Sequence, residues 1–202
     1  MADEREDAAL WLEATTGTDR SFAVLFDRYR ARVFRKAYAQ LKSTHDAEDV
    51  VAMVFLEAWK NRARVRIVDG SMLPWLLSIT SYVLLNHTRS SRRWRRLIAS
   101  LPEPEEHADH ADIVLDRLDQ SAQLRAVYEA ISALASQERT IIDLCVIEEL
   151  PVATVAAVLD IPVGTVKSKL HRARAKIRRR IPSHLMPGAR SEITALLDGA
   201  PQ

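Results

Sequence analysis

The chain has 202 residues, 48% of them apolar, with 29 basic against 27 acidic side chains and a net charge of only +2. That length supports one or two small cores, the apolar fraction excludes a wholly disordered chain, and the lone Cys145 excludes an internal disulfide. The acidic opening MADEREDAAL has no apolar run long enough for a signal peptide or membrane span, so a soluble protein of the reducing cytoplasm is expected, with no membrane insertion.

Only five glycines occur, and apolar residues recur at spacings of three and four, so the expected fold is all-α: two small helical domains joined by an acidic linker, the second carrying a helix-turn-helix. Residues 1–18 hold a short leader helix around Ala8 to Ala14, closed by a Thr-Thr-Gly-Thr break, and no role follows from its composition. The first domain spans 19–101. Phe22, Leu25, Phe26, Tyr29, Val33, Phe34, Ala37 and Leu41 mark a long amphipathic helix. After a break at Ser43 to His45, the carboxylates Asp46, Glu48 and Asp49 suit the positive end of the next helix, which runs to about Asn61. Its apolar residues Val50, Val51, Val54, Phe55, Ala58 and Trp59 leave Asp46, Asp49, Met53 and Glu57 on the other side, open to a partner.

Arg62 to Leu73 loses the period and contains Gly-Ser, which predicts a loop, and Pro74 opens a helix through about Leu101. That helix is apolar over PWLLSITSYVLL. It then turns basic, with Arg89, Arg92, Arg93, Arg95 and Arg96 around Trp94, a composition suited to a DNA backbone. Residues 102–120 carry seven acids against Arg117 alone and predict an extended linker. His107 and His110 fall among its carboxylates, but a chain of that charge density does not hold a fixed metal site, so no metal and no cofactor is expected.

The second domain spans 121–182. Leu124, Val127, Ile131 and Leu134 share one stripe; Ser136 is placed as the N-cap of a helix packed through Ile141, Ile142, Leu144 and Cys145, the thiol being a core residue. In LPVATVAAVLDIPVGTVKSKLHRARAKIRRR, Leu150 to Arg180, a helix from Pro151 packs through Val152, Val155, Ala156 and Leu159. A corner around Gly164 follows, and a second helix from Thr165 packs through Val166, Leu170, Ala173 and Ile177. The opposite arc carries Ser168, His171, Arg172 and Arg179, flanked by Lys167, Lys169 and Arg174, and no acid occurs from Ile161 to Ser191. A helix apolar on one side and cationic on the other docks on phosphates while offering Ser, His and Arg to base edges in a major groove. The tail, 183–202, holds a short helix at Glu192 to Leu197 without an assigned function.

Over residues 19–181 the chain resembles the small bacterial sigma factors of the extracytoplasmic-function group. The residues that carry the likeness are DAEDVVAMVFLEAW (Asp46 to Trp59), PWLLSIT (Pro74 to Thr80) and, most specifically, IPVGTVKSKLHRAR (Ile161 to Arg174). The resemblance implies binding to core RNA polymerase, at its clamp and flap regions, and to promoter DNA, with an anti-sigma factor as a further partner. It places Asp46, Glu48, Asp49, Met53, Phe55 and Glu57 against polymerase. It assigns Arg66, Ser71, Trp75, Tyr82, Asn86, Arg89, Arg92 and Arg93 to the unwound minus-ten element. Thr165, Lys167, Ser168, Lys169, His171, Arg172 and Arg174, within the helix-turn-helix 151–174, fall at the positions that read the minus-35 element. The chain departs from the family pattern at Ala52 and Met53, where Gln-Glu is common, and at Tyr82, where Asn is usual.

The function so implied is a promoter-specificity subunit with no catalysis of its own. The alternative is a helix-turn-helix regulator acting without being a polymerase subunit, and no sensor domain for one is visible. A nucleic-acid enzyme would need a carboxylate-metal cluster or an activated nucleophile, and neither motif is present.

Overall fold

The computed structural model describes residues 6–17, 19–98 and 122–181, and within them it is helical, with a single isolated bridge between Val68 and Ser71. The first domain contains α1 (Asp7–Thr15), α2 (Asp19–Leu41), α3 (Thr44–Lys60) and α4 (Leu73–Ile98). The second contains α5 (Ala122–Ser132), α6 (Ser136–Ile142), α7 (Val152–Leu159) and α8 (Val163–Arg180). The linker expected at 102–120, with His107 and His110, and the tail expected at 183–202 lie outside the described residues.

In the first domain the helix ends follow the side chains. The Ser43 hydroxyl accepts the Asp46 N–H at 3.3 Å as the N-cap of α3, and the Asn61 amide donates to the Glu57 carbonyl at 2.9 Å where that helix stops. Ala47, Val50, Val51, Val54, Phe55 and Ala58 form the buried face of α3. An aromatic cluster fills the space between α1, α2 and α3: ring centroids lie 4.7 Å apart for Phe26 and Phe55, 5.1 Å for Phe22 and Trp59, and 6.4 Å for Trp11 and Trp59. Tilted and edge-on pairs of this kind add about 0.5–1.5 kcal/mol each beyond the area they bury. The leader helix is thus part of the core, with Leu10 fully buried and Ala14 nearly so.

The second domain closes through the predicted stripe, since Val166, Leu170, Ala173 and Ile177 are all buried. Its boundaries differ from expectation in three places. Ser136 is the first helical residue of α6 and Ala135 the cap, whose N–H donates to the Glu138 carboxylate at 3.3 Å. On α7, Thr154 and Val158 are buried whereas Leu159 is only half-buried. The left-handed residue of the corner is Asp160, at φ 57° and ψ 46°, because a short polar side chain tolerates that conformation; Gly164 sits inside the first turn of α8.

The two domains meet through charges that composition did not reveal. Lys36 of α2 is 7% exposed and donates to Asp143 Oδ2 at 2.6 Å and Glu148 Oε1 at 2.8 Å. Both acids flank a widened π turn, Asp143–Ile147, closed by the Glu148 N–H on the Asp143 carbonyl at 2.9 Å, and this wide turn sets their side chains next to one another. Arg32 also pairs with Glu148, Ser81 donates to Asp143, and Arg66 pairs with Asp160 at 2.7 Å. Every cation here comes from the first domain and every carboxylate from the second.

Candidate nucleic-acid interface

On α8 the inward stripe fixes what faces out. Lys167, Ser168, His171 and Arg172 are exposed, and Thr165 and Lys169 are half-buried beside them. The arc is held by its own hydrogen bonds: the Ser168 hydroxyl donates to the Thr165 carbonyl at 3.0 Å, and Arg172 Nε donates to the Ser168 carbonyl at 3.2 Å. A terminal guanidinium nitrogen of Arg172 also donates to the Ser168 hydroxyl at 3.4 Å, so the side chain lies back along the helix and exchanges these local bonds for a base edge or phosphate when it binds one. Arg174 is different. It is half-buried, and its charge acts on Cys145, partly opposing the burial that pushes that thiol up to about 11. Lys176 also turns inward, binding both Glu138 oxygens at 2.7 and 2.9 Å and holding that carboxyl below its ordinary range.

A second candidate element lies in the first domain, in the segment from Arg62 into α4. Val68 and Ser71 exchange backbone hydrogen bonds at 3.0 and 3.1 Å around Asp69 (φ 53°) and Gly70 (φ 75°), a two-residue turn with both central residues left-handed. The tip is exposed. Beyond it, Tyr82 (62% exposed) and Asn86 stand four residues apart on the open side of α4. Three expected minus-ten residues are otherwise engaged. Trp75 is 6% exposed because its position in the first turns of α4 falls on the core side, and Ser71 accepts the Leu73 N–H at 3.1 Å and meets the Tyr29 hydroxyl at 3.1 Å. Arg66 is half-buried in its pair with Asp160. Arg89, Arg92 and Arg93 lie on α4, but their side chains fall outside the described residues.

On α3, Glu48, Asp49 and Met53 are exposed, and Asp46 and Glu57 half-buried, the latter paired with Lys60 at 3.1 Å. Phe55 points the other way, 4% exposed and packed on Phe22 and Phe26, so it belongs to the core. Leu56, 53% exposed, stands in its place beside Met53 and Ala52 and makes this face partly apolar. The spacing contains that signal: once Val50, Val51, Val54, Phe55 and Ala58 define one side, Leu56 falls on the other. Among the described residues no group of three His, Cys, Asp or Glu side chains is placed to hold a metal, and no helix is long and apolar enough to cross a membrane.

Comparison with known proteins places these elements in context. The family profile "Sigma-70 region 2" matches residues 25–95 and "Sigma-70, region 4" matches residues 124–177, together more than half of the chain. The chain is 28% identical over 171 residues to the ECF RNA polymerase sigma factor SigW of Bacillus subtilis, covering 82% of this chain and 91% of that protein. It is also 28% identical over 187 residues to the ECF RNA polymerase sigma-E factor of Haemophilus influenzae, covering 90% and 98%. A solved structure of CnrH in complex with the cytosolic domain of CnrY aligns with a TM-score of 0.51 at 23% identity, over 86% of this chain and 95% of that one, a likeness of fold.

Proposed function

The chain belongs to the extracytoplasmic-function group of RNA polymerase sigma factors, and on that premise we propose how its two domains divide promoter-specific initiation. As a sigma factor it binds core RNA polymerase and directs initiation. Domain 121–182 reads the duplex minus-35 element through Lys167, Ser168, His171 and Arg172 of α8. Domain 19–101 holds polymerase through Asp49, Met53 and Leu56 of α3, and takes up the unwound minus-ten element with the Asp69-Gly70 tip, Tyr82 and Asn86. The acidic linker 102–120 carries the charge density of a nucleic-acid backbone, which suits it to the cationic channel through which polymerase passes RNA. Anti-sigma partners are expected for such a protein; we assign no catalytic step to any residue.

The observation that carries this reading is the division of α8 into a wholly buried apolar stripe and an exposed cationic arc within a region 4 match. A match to region 2 as well favours a polymerase subunit over a free-standing regulator.

Geometry adds a requirement. Promoter elements named for positions 10 and 35 are centred about 25 base pairs apart, or about 85 Å at 3.4 Å per pair along one strand. Two domains in contact, each with a radius of gyration of about 13 Å or less, do not reach both. The Lys36, Arg32 and Arg66 pairs to the second domain therefore come apart when both elements are read at once. Run-off transcription of a genomic fragment library by core polymerase tests the assignment: transcripts from a defined promoter set should appear only when this protein is added. Identical transcripts with and without it would overturn the reading.

A further inference from the structure

The helix that the sequence left without a role grips the minus-ten loop at both ends. Asp7, in the first turn of α1, is 1% exposed, and its Oδ2 accepts the Met72 N–H at 2.7 Å and the Tyr29 hydroxyl, while Oδ1 pairs with Arg28. One helical turn on, Trp11 Nε1–H donates to the Arg62 carbonyl at 3.2 Å. Arg62 opens the segment and Met72 closes it. The Tyr29 hydroxyl reaches Ser71 as well, so a single buried carboxylate sets both the last backbone N–H of the loop and the side chain that terminates the Asp69-Gly70 turn. Burial, and then the hydrogen bond to Asp7, raise the Tyr29 pKa, which keeps the phenol protonated as the donor.

A carboxylate without a compensating partner is expensive to bury, so Asp7 stays where it is only while Arg28, Tyr29 and the Met72 amide surround it. Fixing the turn before DNA arrives removes the ordering cost from the binding step and narrows the geometries in which a base can be accepted. The profile match to region 2 begins at residue 25, after α1 has ended. We propose that Asp7 is a positioning residue for minus-ten recognition, acting through Tyr29, Ser71 and the Met72 amide on the Asp69-Gly70 tip. The proposal rests on the reading that this tip takes up unwound DNA.

The test uses full-length protein assembled with core polymerase, and a pool of short single-stranded DNA of randomised sequence as the probe. Asp7→Ala and the milder Tyr29→Phe, which keeps the ring packing, are compared with the loop-tip variant Asp69→Ala. Affinity for core polymerase and for a duplex minus-35 fragment are measured alongside. Expected is a loss of capture of about tenfold for Asp7→Ala, equivalent to about 1.4 kcal/mol, and a smaller loss for Tyr29→Phe. The sequence preference of the captured pool should broaden, whereas core and duplex affinities stay within twofold of the parent. A general loss of folding would instead lower all three affinities together, and that outcome refutes a positioning role. If Asp69→Ala weakens capture while Asp7→Ala and Tyr29→Phe leave both affinity and preference intact, the inference fails but the loop reading stands. If Asp69→Ala also changes nothing, the loop reading itself fails and takes the proposal with it.

Discussion

The two elements proposed to meet DNA are built in opposite ways. On α8 a single helix supplies everything: Val166, Leu170, Ala173 and Ile177 anchor it, and the residues between them are exposed by the helical period alone. The loop before α4 has no such internal rule. Its turn is held from outside by Asp7 of α1 and Tyr29 of α2, at sequence distances of 65 residues for Asp7 to Met72 and 42 for Tyr29 to Ser71. One consequence is that the α8 surface tolerates separation of reading from stability, because the two tasks fall on different side chains. In the loop the residues that fix the backbone and the tip proposed to meet DNA are coupled.

The largest effect expected from that contrast is at the α8 stripe. Leu170→Ala should lower the stability of the second domain by about 2–5 kcal/mol, the range for a buried leucine truncated to alanine, and thermal denaturation reads it directly. Arg172→Ala should leave that transition in place. Next comes the contact between domains. Lys36→Met removes the buried cation that Asp143 and Glu148 share and leaves Glu148 with Arg32 alone, and the domains should part rather than keep two carboxylates side by side without it. Small-angle scattering should then report a larger radius of gyration, with the melting of each domain unchanged; an unaltered radius would mean that these pairs do not hold the domains together.

On the reading arc, Lys167→Ala and Arg172→Ala should each weaken use of the upstream element by about 1–3 kcal/mol where the side chain meets a base. Competition binding to the duplex fragment measures this, and equal affinity for parent and double variant would remove α8 from the assignment. Gly164→Ala sharpens the revised corner. A Cβ there meets no atom within 4 Å and the residue is helical, so the change should stabilise the domain by up to about 1 kcal/mol; a destabilised variant would show that the glycine, not Asp160, makes the turn.

The smallest effect is a pH dependence. Lys176 holds the folded Glu138 pKa below its ordinary 4.5, so the carboxyl binds its proton less readily in the folded state than in the unfolded one. Its contribution is complete above about 4.5 and is lost as the pH falls through the lower folded value. Lys176→Met should flatten that part of the stability profile, which acid titration of parent and variant can compare.

What the sequence made legible tracks this same contrast. The all-helical architecture, the α8 stripe and the long helices follow from the spacing of apolar residues, because each is a local rule repeated along one element. In the sequence Asp7 is one of several acids in the opening MADEREDAAL, and Lys36 is one of several cations between the apolar positions of a long helix. Neither pattern reveals a buried charge, since its partners lie far along the chain. Phe55 and Trp75 were assigned to surfaces through the resemblance, although the spacing alone had already put Phe55 inside; their burial in the first-domain core shows that a motif position and a helix face are separate facts. Asp160 was missed for a simpler reason: glycine is the usual left-handed residue, and Gly164 lay close enough to be mistaken for it.

The proposal that two differently built surfaces read two promoter elements is tested most directly by a footprint of the polymerase complex on one selected promoter fragment. The parent should protect two segments with centres about 25 base pairs, or about 85 Å, apart. With Lys167 and Arg172 both changed to alanine the upstream segment should become accessible while the downstream one stays protected. A single short protected segment, or loss of both segments together in that variant, would contradict the account.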